Sequence, residues 1–94
     1  MKAELLLWER HQLRTDAFAE LVIWNVPTSV RGSDHRLKYR LVFVVAGRSV
    51  GRFDNEAGKG DHKHVGHAEA AYAFSTTGAL LRDFWNEVDQ SLEP

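Results

Sequence analysis

Tyr39-Arg40-Leu41-Val42-Phe43-Val44-Val45-Ala46-Gly47-Arg48-Ser49-Val50-Gly51-Arg52-Phe53-Asp54 is the stretch that decides the fold. Residues 39–45 put Tyr39, Leu41, Phe43 and Val45 on one side and Arg40, Val42 and Val44 on the other, the two-residue period of a strand. Ala46-Gly47-Arg48 supplies a tight turn, because glycine tolerates the positive φ of a short hairpin, and residues 49–54 return as a second strand. Towards the N-terminus, residues 5–13 and 18–26 predict another hairpin about Arg14-Thr15-Asp16-Ala17. Phe18, Val22, Trp24 and Val26 oppose Ala19, Leu21 and Ile23 across the second of these strands, so apolar character on both faces predicts an interior position. Pro27 ends that strand, and residues 27–34 have the Pro, Gly, Ser and Asp content of an exposed loop. Towards the C-terminus, residues 62–65 and 71–74 read as short extended pieces. A helix capped by Ser75 or Thr76 then carries Leu81, Phe84, Trp85, Val88 and Leu92 on one stripe. The expected fold is α+β, an antiparallel β-meander sheet with a C-terminal helix packed on one face, in a single domain over residues 1–94. Trp8, Trp24 and Trp85 are assigned to its core.

Apolar residues make up 44% of the chain and include three Trp and five Phe, enough to build a core without disulfides or a structural metal. The absence of cysteine excludes disulfide scaffolds, thiolate zinc sites and cysteine nucleophiles, and fits a cytoplasmic location. The apolar run near the N-terminus is cut by Glu9, Arg10 and His11, too early for a signal peptide or a membrane span, and no membrane association is expected. The net charge of −1 conceals segregation. Residues 31–63 hold eight Lys or Arg against four Asp or Glu, a local excess of +4 that leaves −5 for the rest. Such a basic centre can attract a polyanion that the net charge would not predict, although a solvated basic face gives the same count.

The candidate chemistry lies in Arg52-Phe53-Asp54-Asn55-Glu56-Ala57-Gly58-Lys59-Gly60-Asp61-His62-Lys63-His64. With His67, this segment gathers nine ionisable groups in sixteen residues. Gly58 and Gly60 flank Lys59, which suggests a turn offering backbone amides and an ammonium to a phosphate; the spacing is not that of a nucleotide-binding P-loop. His62 and His64 project to the same side of an extended chain. Three uses compete: acid–base cleavage of RNA, metal binding in a His-x-His pattern, and simple surface hydrogen bonding. Histidine suits the first because either protonation state is accessible near neutrality. The surrounding basic residues favour RNA, and no metal or cofactor is expected. On this reading His62 and His64 are the acid–base pair, Lys59 and Arg52 offset phosphorane charge, and Asp54 or Asp61 orients an imidazole. Lys63 adds to the cations around the site, and Arg36, Lys38 and Arg40 alternate, so they can project together as an RNA track. The same residues would serve a toxin that only binds RNA or protein, and transfer of a nucleotide to tRNA or protein is also left open, as is pairing of two copies.

The segment 53–64 resembles the TumE-like toxins of bacterial toxin–antitoxin systems, whose core reads aromatic-Asp-Asn-Glu-x-Gly-Lys-Gly-Asp-His-x-His. The resemblance extends to Lys2-Ala3-Glu4-Leu5, to His35-Arg36-Leu37-Lys38-Tyr39-Arg40, and to Glu69, Tyr72 and Phe74. Phe53 stands where tyrosine often occurs, which argues against an essential phenol there, and His67 lies outside the core. The resemblance implies a growth-inhibiting toxin neutralised by a co-encoded helix-turn-helix antitoxin. Ribonuclease activity is the expectation by analogy with other small toxins.

Overall fold

The computed structural model describes residues 2–93. Six strands, β1 (Glu4–Arg14), β2 (Ala17–Asn25), β3 (Leu37–Val45), β4 (Arg48–Glu56), β5 (Gly60–Val65) and β6 (Ala68–Ala71), precede one helix, α1 (Thr77–Leu92). The strands pair antiparallel in sequence order, so the sheet is the expected meander and every connection joins neighbours. Ala46 and Gly47, both at positive φ (51° and 77°), form the two-residue turn between β3 and β4. The Thr76 side chain caps α1 by accepting from the Ala79 amide. The piece expected at 71–74 is displaced: β6 ends at Ala71, and after one more backbone bond, from the Tyr72 amide to the Asp61 carbonyl (2.9 Å), the chain crosses towards the helix.

The helix covers one face of the sheet only. Leu80, Phe84 and Val88 recur every four residues and sit on Ala17, Ala19, Leu21 and Ile23 of β2, Tyr39, Leu41 and Phe43 of β3, and Phe53 of β4. Phe84 meets Phe53 and Trp85 edge-on, with ring centroids 5.9 and 5.3 Å apart. Trp85 extends the contact to His11 of β1. The other face of the sheet carries no helix, and this corrects the assignment of all three tryptophans to the core: Trp8 is 69% exposed and Trp24 37% exposed, both on that open face.

The long loop between β2 and β3 folds back onto the turn between β4 and β5. The Gly58 amide donates to the Arg31 carbonyl (2.6 Å), and Gly32 lies against Gly60. Gly60 has φ +76°, and a Cβ there would stand 2.7 Å from the Gly32 carbonyl oxygen. Gly60→Ala therefore combines left-handed strain with a backbone clash, and chemical denaturation should show a loss of about 1–3 kcal/mol or more.

Candidate active site

Strand parity divides the chemical segment between the two faces of the sheet. In the β4–β5 ladder Arg52 pairs with His64 and Asp54 with His62, so these four project together onto the open face. The alternate residues Phe53, Asn55, Asp61 and Lys63 project towards the helix side.

On the open face the groups are linked in series. The Arg52 Nε lies 3.0 Å from Asp54 Oδ2, an ion pair whose angle leaves that buried nitrogen without a well-aligned hydrogen bond. The other end of the guanidinium donates to His64 Nε2 at 3.0 Å. Because arginine has only donors, His64 Nε2 must hold a lone pair in this arrangement. Its Nδ1 faces Glu69 Oε2 at 3.9 Å. His62 is held differently: Nδ1 lies 3.0 Å from the Gly60 carbonyl, which can only accept, so Nδ1 carries the proton and neutral His62 has its Nε2 lone pair free. Lys59 sits on the rim, highly exposed and 3.6 Å from Glu56. Arg52, Asp54, Glu56, Lys59, His62, His64 and Glu69 together line a cavity of about 70 Å³.

Of the residues expected to act together, His62, His64, Lys59, Asp54 and Arg52 share this cavity, and Lys38 and Arg40 lie beside it on the open face, in a neighbouring cavity that also includes Arg52 and Asp54. Arg36 is exposed just ahead of β3. Asp54 holds Arg52 rather than an imidazole. Lys63 and Asp61 stand apart: Lys63 lies 3.6 Å from Glu87 of the helix, and Asp61 accepts from Ser33 Oγ (2.6 Å), Tyr39 OH (2.6 Å) and His35 Nε2 (2.7 Å). The imidazole that Asp61 orients is thus His35, whose Nδ1 accepts from the Leu37 amide. Burial opposes charge on Asp61, but those hydrogen bonds and the His35 electrostatics outweigh it and hold the carboxyl below its ordinary pKa. The same carboxylate, with burial as the larger cause, pushes the Tyr39 phenol far up. The expected amide cradle for phosphate is not free, since the Gly58 amide donates to Arg31 and the Lys59 amide to Glu56.

Glu69 was not among the residues singled out for chemistry. Its signal was the turn Val65-Gly66-His67-Ala68, which fixes the β5–β6 register and sets Glu69 opposite His64. Among the described residues no three His, Asp or Glu side chains converge in a metal-binding group. No helix among them is long and apolar enough to cross a membrane.

Searches of curated proteins and of solved structures return no match. A family model described as Toxin TumE matches residues 2–92, nearly the whole length over which the sheet, its helix and the cavity are built, and the chain therefore belongs to the TumE toxin family.

Proposed function

We propose that this toxin is a metal-independent endoribonuclease acting in the cytoplasm, with His62 and His64 as its acid–base pair. Membership of a toxin family implies an antitoxin partner; we take it to be a helix-turn-helix protein, as the family resemblance suggests. The observation that carries the reading is the shared cavity in which two imidazoles on one face of β5 meet Arg52 and Lys59. Two residues along a strand span about 6.6 Å, a separation suited to imidazoles flanking one phosphodiester.

The free Nε2 of His62 takes the ribose 2′-OH proton as that oxygen attacks phosphorus. The bond from phosphorus to the 5′-oxygen breaks, and protonated His64 delivers a proton to the leaving oxygen. The products are a 2′,3′-cyclic phosphate and a 5′-hydroxyl. Before this, Arg52 must leave His64 Nε2. An arriving phosphate offers the guanidinium a stronger, charge-assisted partner, so substrate binding frees His64 to accept the proton it later gives up. Asp54 anchors the other end of Arg52, and Glu69 faces the imidazolium. Lys59 adds positive charge at the mouth.

Purified protein should cleave single-stranded RNA in excess EDTA, leaving cyclic-phosphate ends. Loss of cleavage on chelation would move the case to a metal mechanism. A fully toxic His62→Ala/His64→Ala double variant that is relieved by Lys59→Glu would identify a toxin that only binds. Covalent labelling from a nucleoside triphosphate would identify nucleotide transfer.

A further inference from the structure

Two indoles stand in water on the same face as the histidines, while Tyr39, Phe43, Phe53 and Phe84 are each about 1% exposed. One exposed aromatic needs no explanation, but two on one uncovered sheet face, set among cations, do. The register places them. Trp8 heads a row that runs Val22, Arg40, Asp54 and His62 across five strands. Trp24, two residues beyond Val22 on β2, pairs with Lys38. Trp24, Lys38, Arg40 and Arg52 line a cavity of about 360 Å³, which shares Arg52, Asp54 and Glu56 with the histidine cavity, so the two are adjacent on the open face.

We propose that Trp24 and Trp8 form a stacking platform for unpaired bases of a single-stranded RNA whose backbone runs over Lys38 and Arg40 into the His62–His64 cavity. This rests on the ribonuclease reading and names its substrate as single-stranded. The charges fit a polyanion. Asp54 and Glu56 are engaged by Arg52 and Lys59, whereas Arg40 and Lys38, whose ammonium donates to the Asn55 carbonyl, make no ion pair among the described residues. Arg10, two residues from Trp8 on the same face, stands opposite Glu20 in the register and lies over the Phe18 ring at 3.8 Å, so the track is carried by Lys38 and Arg40. A protein partner would favour an interface centre poor in charge; here cations alternate with the indoles, as base and phosphate alternate along a strand. A duplex would hide its base faces from both tryptophans.

The test uses the full chain carrying His62→Ala/His64→Ala, so that the probe stays intact. Its ligands are a labelled twelve-nucleotide single strand of mixed sequence and the same strand in a perfect duplex. Stacking on an aromatic is worth about 1–3 kcal/mol per base, so Trp24→Ala should weaken single-strand binding by roughly 5–150-fold. Trp24→Phe should recover most of that loss, and Trp8→Ala, at a more exposed position, should weaken binding without altering the fold. Duplex binding should be weaker and indifferent to all three. In the active chain Trp24→Ala should slow cleavage of the long strand but not of a dinucleotide, which cannot span the roughly 14 Å of three inter-strand steps from β5 to β2. Unchanged single-strand affinity in Trp24→Ala and Trp8→Ala, alongside normal cleavage, overturns the platform and leaves the ribonuclease reading standing. Tryptophan-dependent binding by a chain that cleaves nothing supports the platform and overturns the ribonuclease. Failure to bind either strand overturns the platform, and a parent chain that also leaves RNA intact overturns the ribonuclease with it.

Discussion

His62→Ala should lower the rate of RNA cleavage by about 10²–10⁴-fold, with the circular dichroism spectrum and melting temperature of the parent chain retained. The size follows from removing a positioned general base. The retained fold follows from its surroundings, since His62 is half-buried on a face that carries no helix and its one side-chain hydrogen bond is to the Gly60 carbonyl. His64→Ala should cost a similar factor for a different reason. In the proposed mechanism His64 is the proton donor, and in the structure it also accepts from the Arg52 guanidinium at 3.0 Å, so its loss removes the proposed acid and changes where Arg52 rests. The double variant should be little worse than either single one, because two groups acting in one transition state do not contribute independently. Quench-flow or gel-based cleavage of a labelled oligonucleotide reads these rates, and growth inhibition in cells should follow the same order. A His62→Ala chain cleaving within threefold of the parent would exclude His62 as the base. Arg52→Lys offers a finer check: a point charge cannot bridge Asp54 and a phosphate as a planar fork does, so cleavage should fall although the charge is kept.

Strand alternation made half of this site legible. The parity that put His62 and His64 on one side also sends Asp61 and Lys63 to the other, yet the extended piece was read only from His62, which left Asp61 to the glycine turn, where parity has no meaning. What made it a strand is the turn at residues 56–60, held from outside by Arg31, Gly32 and Ser33 across a long sequence gap. No local pattern announces such a contact. The tryptophans were misread for a related reason. β2 is apolar on both faces, and only the helix decides which face becomes core; it settled on the small-residue side of Ala17, Ala19, Leu21 and Ile23. The strand order, the tight turn at Ala46-Gly47 and the helix cap at Thr76 were legible because each depends on a few adjacent residues. Leu80 escaped the helical stripe because the spacing was read from Leu81, although Leu80, Phe84 and Val88 are the residues buried.

Asn55→Ala should be among the most destabilising single changes at a polar position, about 2–6 kcal/mol by urea unfolding, although Asn55 does not line the histidine cavity. Its side chain is fully buried and stitches β4 to the start of β3: Oδ1 accepts from the Tyr39 amide (3.0 Å) and Nδ2 donates to the Leu37 carbonyl (2.7 Å). Alanine leaves both backbone groups without their partner, at about 1–3 kcal/mol each. Nδ2 also donates to Ser33 Oγ, which in turn donates to Asp61, so the damage should spread to the loop that Asp61 pins. The pH dependence separates the two residues. Asp61 has a folded-state pKa below its ordinary 3.8, so its share of stability is complete above that value and is lost as pH falls through the lower folded value. Unfolding free energy of the parent should therefore drop between about pH 4 and the acid limit. In Asp61→Asn that part of the drop should vanish, the variant being weaker at neutrality but flatter in acid. Asn55→Ala, which leaves the carboxylate in place, should start lower and keep an acid slope. If Asp61→Asn instead tracks the parent slope below pH 4, the carboxylate is not the group holding the loop, and the stitching must be assigned to Asn55 and the Gly32–Gly60 contact alone.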